Sequence, residues 1–212
     1  MTWYQAFNLL ALTVCTVSLA YQFFRLLRPG FPTDFSPPAG SVNRAIGYAF
    51  TGAMSPRKKE TAFLHLPTYV AGIIYHVGTF LSILIFLLIW AGAKLPEIVW
   101  VLFAAALSAS VLCGVGMLVK RGINKGLREL SNPDDYISNI LVTGSQAITI
   151  LVLLFPDRFT AVYYLFTGVF MLYLPTGKLK HLLYFFSARM QLGFFFGRRG
   201  VWPPVKLKQN RS

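Results

Sequence analysis

The chain contains three histidines, His65, His76 and His181, and two of them stand where an imidazole is costly to keep. His76 lies inside PTYVAGIIYHVGTFLSILIFLLIW, an apolar run long enough to cross a bilayer, and His181 lies in YLPTGKLKHLLYFF, near the end of another. A polar or ionisable group in such a run needs a partner or a metal to offset its burial. Two neutral imidazoles from distant helices suit the axial positions of six-coordinate iron in a b-type haem, which carries electrons and leaves no position open to substrate. Each of the two follows a glycine by four residues, Gly72 before His76 and Gly177 before His181. In a helix such a glycine clears the space directly below the ring, where a flat macrocycle would lie. Two histidines hydrogen-bonded between helices without any cofactor would give the same pattern, and glycine also lets membrane helices approach one another. A zinc site would want a third or fourth ligand, and no Asp, Glu or Cys stands near either histidine in its run.

The elements that must position these rings are apolar spans. With 55% hydrophobic and only 13% charged residues, the 212-residue chain is too apolar for an ordinary soluble domain and reads as a polytopic membrane protein. Five runs reach spanning length, residues 3–27, 67–90, 97–119, 136–155 and 159–186. They are too long and too uniformly apolar for barrel strands, so the expected fold is all-α, a single five-transmembrane-helix bundle. The first run lacks a basic n-region before it and carries Arg25 and Arg28 at its far end, as an uncleaved span would. Cys15 and Cys113 both fall inside apolar runs and support neither a disulfide nor a thiolate cluster.

Of the 20 Lys and Arg residues, all but Lys94 and Arg158 fall in the first and third connecting segments and the C-terminal end. That bias places the N-terminus on the outer, periplasmic side and the C-terminus in the cytoplasm. It also explains the net charge of +13 without nucleic acid as a partner. Counted from its cytoplasmic end, span two carries His76 about 14 Å deep, and span five carries His181 about 33 Å below its outer start. Both then fall in the inner half of the bilayer, with Pro175 able to tilt or kink span five. Lys178 and Lys180, or Arg57 to Lys59, can meet the propionates of a haem held there.

The segment 28–66 has four prolines in its first half, then SPRKKETAFLHL, which begins like a helix with Ser55 as cap and Pro56 at the first position. A short interfacial amphipathic helix over 55–66, or a solvated turn, fits that composition. The tail 190–212 interleaves aromatic and basic residues, which suits lying on the membrane or docking another subunit. His65, eleven residues before His76 with Pro67 between, reads as an interfacial residue, a quinone or proton-relay contact, or an alternative ligand. Tyr69, Tyr75 and Tyr164 offer hydroxyls to a quinone but equally suit interfacial anchoring.

The five-span plan, the YHVG segment of span two and LYLPTGKLKH of span five resemble the membrane cytochrome b family of the respiratory nitrate reductase gamma subunit. MSPRKKETAFLHLPTYVAGIIYHVGTF is similar to the relatives of that subunit in sulfate-reducer and methanogen complexes, which sit beside heterodisulfide-reductase-like iron–sulfur proteins. The resemblance implies that His76 and His181 match the ligand pair of the cytoplasmic-side haem. At the places of the outer pair stand Phe86 and Tyr163, so it implies one haem b rather than two. On this reading the chain passes electrons between menaquinone, or a periplasmic multihaem cytochrome c, and a cytoplasmic iron–sulfur subunit. A cofactor-free anchor or assembly subunit is the alternative. The chain shows no nucleophile, acid–base pair or nucleotide loop suited to bond-making.

Overall fold

The computed structural model describes residues 1–28, 30, 34–56 and 63–204. Every regular element among them is helical: α1 (Trp3–Leu27), α2 (Val42–Phe50), α3 (Leu66–Trp90), α4 (Glu97–Ile123), α5 (Lys125–Glu129), α6 (Pro133–Leu154), α7 (Pro156–Tyr173) and α8 (His181–Arg198), with 3-10 turns at Gly52–Met54 and Lys178–Lys180. Four helices, α1, α3, α4 and α6, are long and apolar enough to cross a membrane, or five if α7 and α8 count as one broken span. The chain divides into two compact units, Met1–Ala20 with Pro67–Lys180 and Tyr21–Leu66 with His181–Ser212.

In the first unit α6 is the central helix. Its start is fixed by a capping box: Asn132 Oδ1 accepts from the Asp135 N–H at 3.1 Å, Asp135 Oδ2 accepts from the Asn132 N–H at 3.0 Å, and Pro133 opens the helix. One face of α6 then buries Ser138, Val142, Thr143, Ser145, Gln146, Ile148, Thr149 and Val152. Most of those side chains are polar, whereas Ile73, Val77, Phe80, Leu87, Leu102, Leu112 and Val169 of the surrounding helices are exposed. That is the polarity of a bundle dissolved in lipid, where hydrogen bonds and small residues, not apolar burial, hold helices together. Gly78 and Gly114 mark the closest approaches, since a Cβ on Gly78 would strike the Ser110 side chain and one on Gly114 would lie 2.5 Å from Thr143 Oγ1 and from the Tyr75 ring.

The fifth apolar run, expected as one helix over 159–186, is broken. Leu174 closes α7 by donating to Phe170 O, and the Thr176 and Gly177 N–H groups both turn back to Tyr173 O at 3.0 Å. Pro175 has no N–H with which to continue the α-helical ladder, so the helix stops there instead of merely tilting.

The second unit is built on α2 packed against α8. Ser41 caps α2 through Oγ, which accepts from the Arg44 N–H at 3.4 Å. Ala45 and Ala49 are fully buried, and Gly193 and Gly197 of α8 meet Ile46, Ala45 and Val42 at backbone distance. A helix over 42–50 lies outside the sequence expectation, which put structure at 55–66. Ser55 instead closes the Gly52–Met54 turn, and residues 57–62, including Arg57 to Lys59, lie outside the described residues. The described part of the aromatic and basic tail folds back on its own unit. Trp202 packs on Phe196 and Tyr48 at ring centroids of 4.7 and 5.5 Å, Arg199 stacks on Phe195, and Arg198 and Arg199 both reach Asp34.

Candidate functional site

The path of α3 decides where His76 points. Its inward face presents Tyr75, Gly78, Ser82, Ile85 and Phe86 to the core. The Tyr75 hydroxyl donates to Asn139 O at 3.1 Å and lies 2.8 Å from Thr143 Oγ1. Three donors converge on the Tyr75 carbonyl: Thr79 Oγ1 at 2.8 Å, Ser110 Oγ at 3.3 Å and Gln146 Nε2 at 3.4 Å. Farther along, Ser82 Oγ meets Thr149 Oγ1 at 3.2 Å. With α3 pinned this way to α4 and α6, the next residue, His76, is turned to the exposed side among Ile73, Val77 and Phe80.

His76 Nδ1 lies 2.7 Å from the Gly72 carbonyl oxygen. A carbonyl only accepts, so Nδ1 carries a proton, and in a neutral ring the in-plane lone pair is then on Nε2. A metal-ligating histidine uses this arrangement, giving its other N–H to a carbonyl that fixes the ring and raises its basicity. A Cβ built on Gly72 would meet nothing within 4 Å, so the space expected beside His76 is open.

The second expected ligand belongs to the other unit. His181 is the first residue of α8 and is exposed, in the second unit, while His76 belongs to the first. Gly177 does not lie one helical turn below His181, because the chain between them is a 3-10 turn and α8 begins at the histidine itself. A Cβ on Gly177 would fall 2.6 Å from Cε1 and Oη of Tyr173, so the gap it leaves is filled by that ring. Lys178, expected to be available to a propionate, donates its ammonium to Asp135 Oδ1 at 2.7 Å and its backbone N–H to Asp134 Oδ2 at 2.8 Å. Lys180 is half-buried in the same turn. His65 is exposed in a turn directly before α3, so it does not share a continuous helix with His76.

Phe86 and Tyr163, the residues at the outer ligand positions of the resembled family, are neighbours on α3 and α7. Their ring centroids lie 6.4 Å apart, and with Ile148, Val152 and Tyr164 they form a buried cluster. Beside it Asn8, fully buried, donates to Tyr164 O at 2.7 Å and Thr167 Oγ1 at 2.9 Å and accepts from Trp90 Nε1 at 3.1 Å. The residues that sequence reasoning missed are the ones that orient α3: Ser110, Asn139, Thr143 and Gln146. Asn139, Thr143 and Gln146 follow one another at spacings of four and three, a polar helical stripe inside an apolar run. No family model, no curated protein and no solved structure matches the chain.

Proposed function

We propose that this chain is the haem-b membrane subunit of a respiratory redox complex in a bacterial or archaeal inner membrane. It passes electrons between menaquinone, or a periplasmic multihaem cytochrome c, and a cytoplasmic iron–sulfur subunit. The observation that carries the reading is His76, an imidazole in the middle of an apolar helix whose Nδ1–H is committed to the Gly72 carbonyl beside open space. With Nδ1 protonated, a neutral ring would offer Nε2 to the iron. His181 would supply the second ligand nitrogen, on the sequence resemblance. Iron held by two imidazoles exchanges single electrons and offers no position to a substrate.

The work of the chain is to hold and orient. Gly72 O fixes the plane of the His76 ring, and the contacts to the Tyr75 carbonyl fix the face of α3 on which that ring stands. The packed Phe86–Tyr163 pair supports one haem rather than two, since the place of an outer ligand pair is filled by two rings in a closed core. The Lys and Arg bias supports an N-terminus in the periplasm and a C-terminus in the cytoplasm, with the iron–sulfur partner on the basic side.

A reduced-minus-oxidised absorption spectrum of the purified protein, with haem counted per chain, tests the reading. Low-spin b bands at one haem per chain are expected, lost in His76→Ala and His181→Ala and kept in His65→Ala. Absent bands would make the chain a cofactor-free anchor. Bands that survive His76→Ala or His181→Ala would remove that residue as a ligand.

A further inference from the structure

A groove of about 230 Å³ opens on the first unit between the start of α3 and the last turns of α4. It does not belong to the histidine site. Thr68 and Ala71 form one wall, and Cys113, Gly116 and Met117 the other. Nothing lies within 4 Å of where a Cβ on Gly116 would be, so the missing side chain leaves real space. The groove is smaller than the roughly 300–1,000 Å³ of pockets that enclose a drug-sized molecule, and it is open along one side, so it suits a stretch of chain.

One end of the groove is charged. Lys120 lines it and donates from Nζ to Thr68 Oγ1 at 2.6 Å. Arg121, its neighbour, is paired with Asp135, but among the described residues no carboxylate pairs with Lys120. Thr68 stands in the first turn of α3, whose end adds partial positive charge, and Lys120 in the last turn of α4, whose end adds partial negative charge, so the ammonium itself sets the sign. From Lys120 to Cys113 is seven residues, about 10 Å along the helix axis into the apolar layer. The mouth sits at the level of the basic segment Lys120 to Arg128, where headgroups lie if α3 and α4 cross the membrane.

The geometry points to a binding site for an anionic phospholipid, with its phosphate at Lys120 and Thr68 and one acyl chain along Ala71, Gly116 and Met117 toward Cys113. Charge complementarity selects this occupant. A zwitterionic lipid brings its own cation to Lys120, whereas an anionic one supplies the missing counter-charge at the end of an apolar slot.

Cys113 provides the readout. In the full chain carrying Cys15→Ser, which removes the buried thiol of α1, the rate of labelling by a neutral maleimide is measured in vesicles of pure phosphatidylcholine. It is then measured with roughly one-fifth phosphatidylglycerol added. Phosphatidylglycerol should slow labelling by about fivefold in the Cys15→Ser chain and in its Lys120→Arg variant, the factor due to one lysine near a headgroup. Lys120→Gln should lose the effect, and so should Gly116→Leu, which fills the slot without touching the charge. Equal rates in both vesicles, protection that survives Lys120→Gln, or a thiol that does not label even in phosphatidylcholine would overturn the proposal. Equal protection by inorganic phosphate in phosphatidylcholine would also overturn it, by making the site one for a free anion. Should Lys120→Gln not fold, the Gly116→Leu and Lys120→Arg results decide between these outcomes.

Discussion

Replacing Gly193 by alanine tests how the second unit is held together. A Cβ there would lie 2.6 Å from Ile46 Cα and 2.9 Å from Ile46 N, against 3.4 Å for ordinary contact, a shortfall of about 0.8 Å at the tightest point. Both atoms are backbone in the middle of α2, so no side-chain rotation relieves the clash and the helices must move apart. Overpacking of this kind costs about 1–3 kcal/mol. Alanine returns about 0.5–1 kcal/mol through its better helix propensity in α8. The net loss of up to about 2.5 kcal/mol, at about 2–4 °C per kcal/mol for a chain of this size, lowers the melting temperature by up to about 10 °C. Gly47→Ala is the matched control. It sits in α2 with nothing within 4 Å of its Cβ position, so only the propensity gain remains and the melting temperature rises by about 1–4 °C. Far-UV circular dichroism melts of the detergent-solubilised protein read both. A Gly193→Ala protein melting at or above the wild type, or the two variants shifting alike, would refute the close α2–α8 approach.

The first unit should respond as strongly to Asn8→Ala. It strips the Trp90 N–H of its acceptor and the Tyr164 carbonyl and Thr167 hydroxyl of a shared donor in a buried site, and should cost about 1–3 kcal/mol, read as a lowered melting temperature. Asn132→Ala removes half of the capping box on α6 and should cost about 0.5–2 kcal/mol by the same assay, with Asn132→Ser largely restoring it. In the second unit, the Ser36 hydroxyl and N–H, followed by Arg199 and Arg198, hold the Asp34 carboxyl below the usual carboxylate range. A depressed folded value means that its contribution is complete above the unfolded value of about 3.9 and is lost as pH falls through the folded one. The melting temperature should therefore drop on acidification below about pH 4. That drop should be shallower in Asp34→Asn, and parallel pH profiles for the two proteins would contradict the contact.

Spanning elements were legible because their signal is additive over some twenty residues. The runs ending at Leu27 and Trp90 match the helices found, whereas α6 begins at Pro133, three residues before the apolar run expected from 136, because its first turn is the polar capping box. Features that depend on one residue or on distant partners were not legible. Pro175 signalled a disturbance, but whether a proline kinks or ends a helix depends on what receives the orphaned carbonyls, here the turn closed on Tyr173. The helix α2 is nine residues long and framed by prolines, too short for a periodic pattern to stand out. Its identity lies in Ala45 and Ala49, whose smallness matters only against Gly193 and Gly197, nearly 150 residues away. Lys178 read as a cation near the membrane boundary, and nothing local to it reveals that Asp134 and Asp135 arrive beside it from the start of α6.

The distribution of polarity along α3 gives His76 its meaning. Tyr75, Thr79 and Ser82 are polar and belong to the same apolar helix, yet each hydroxyl has its partner within the bundle: Thr143 and Asn139 for Tyr75, the Tyr75 carbonyl for Thr79, Thr149 for Ser82. Those three groups are accounted for as the bonds that join membrane helices, and removing any of them is a question of stability. His76 stands on the exposed side of α3 with Ile73, Val77 and Phe80, and its Nδ1 lies 2.7 Å from Gly72 O. Under the proposed function, a proton on Nδ1 held by Gly72 O would leave Nε2 for the iron. If the proposed haem is bound, His76→Leu should abolish its reduced-minus-oxidised bands while leaving the melting temperature of the cofactor-free protein close to that of the wild type. A structural histidine would do the reverse.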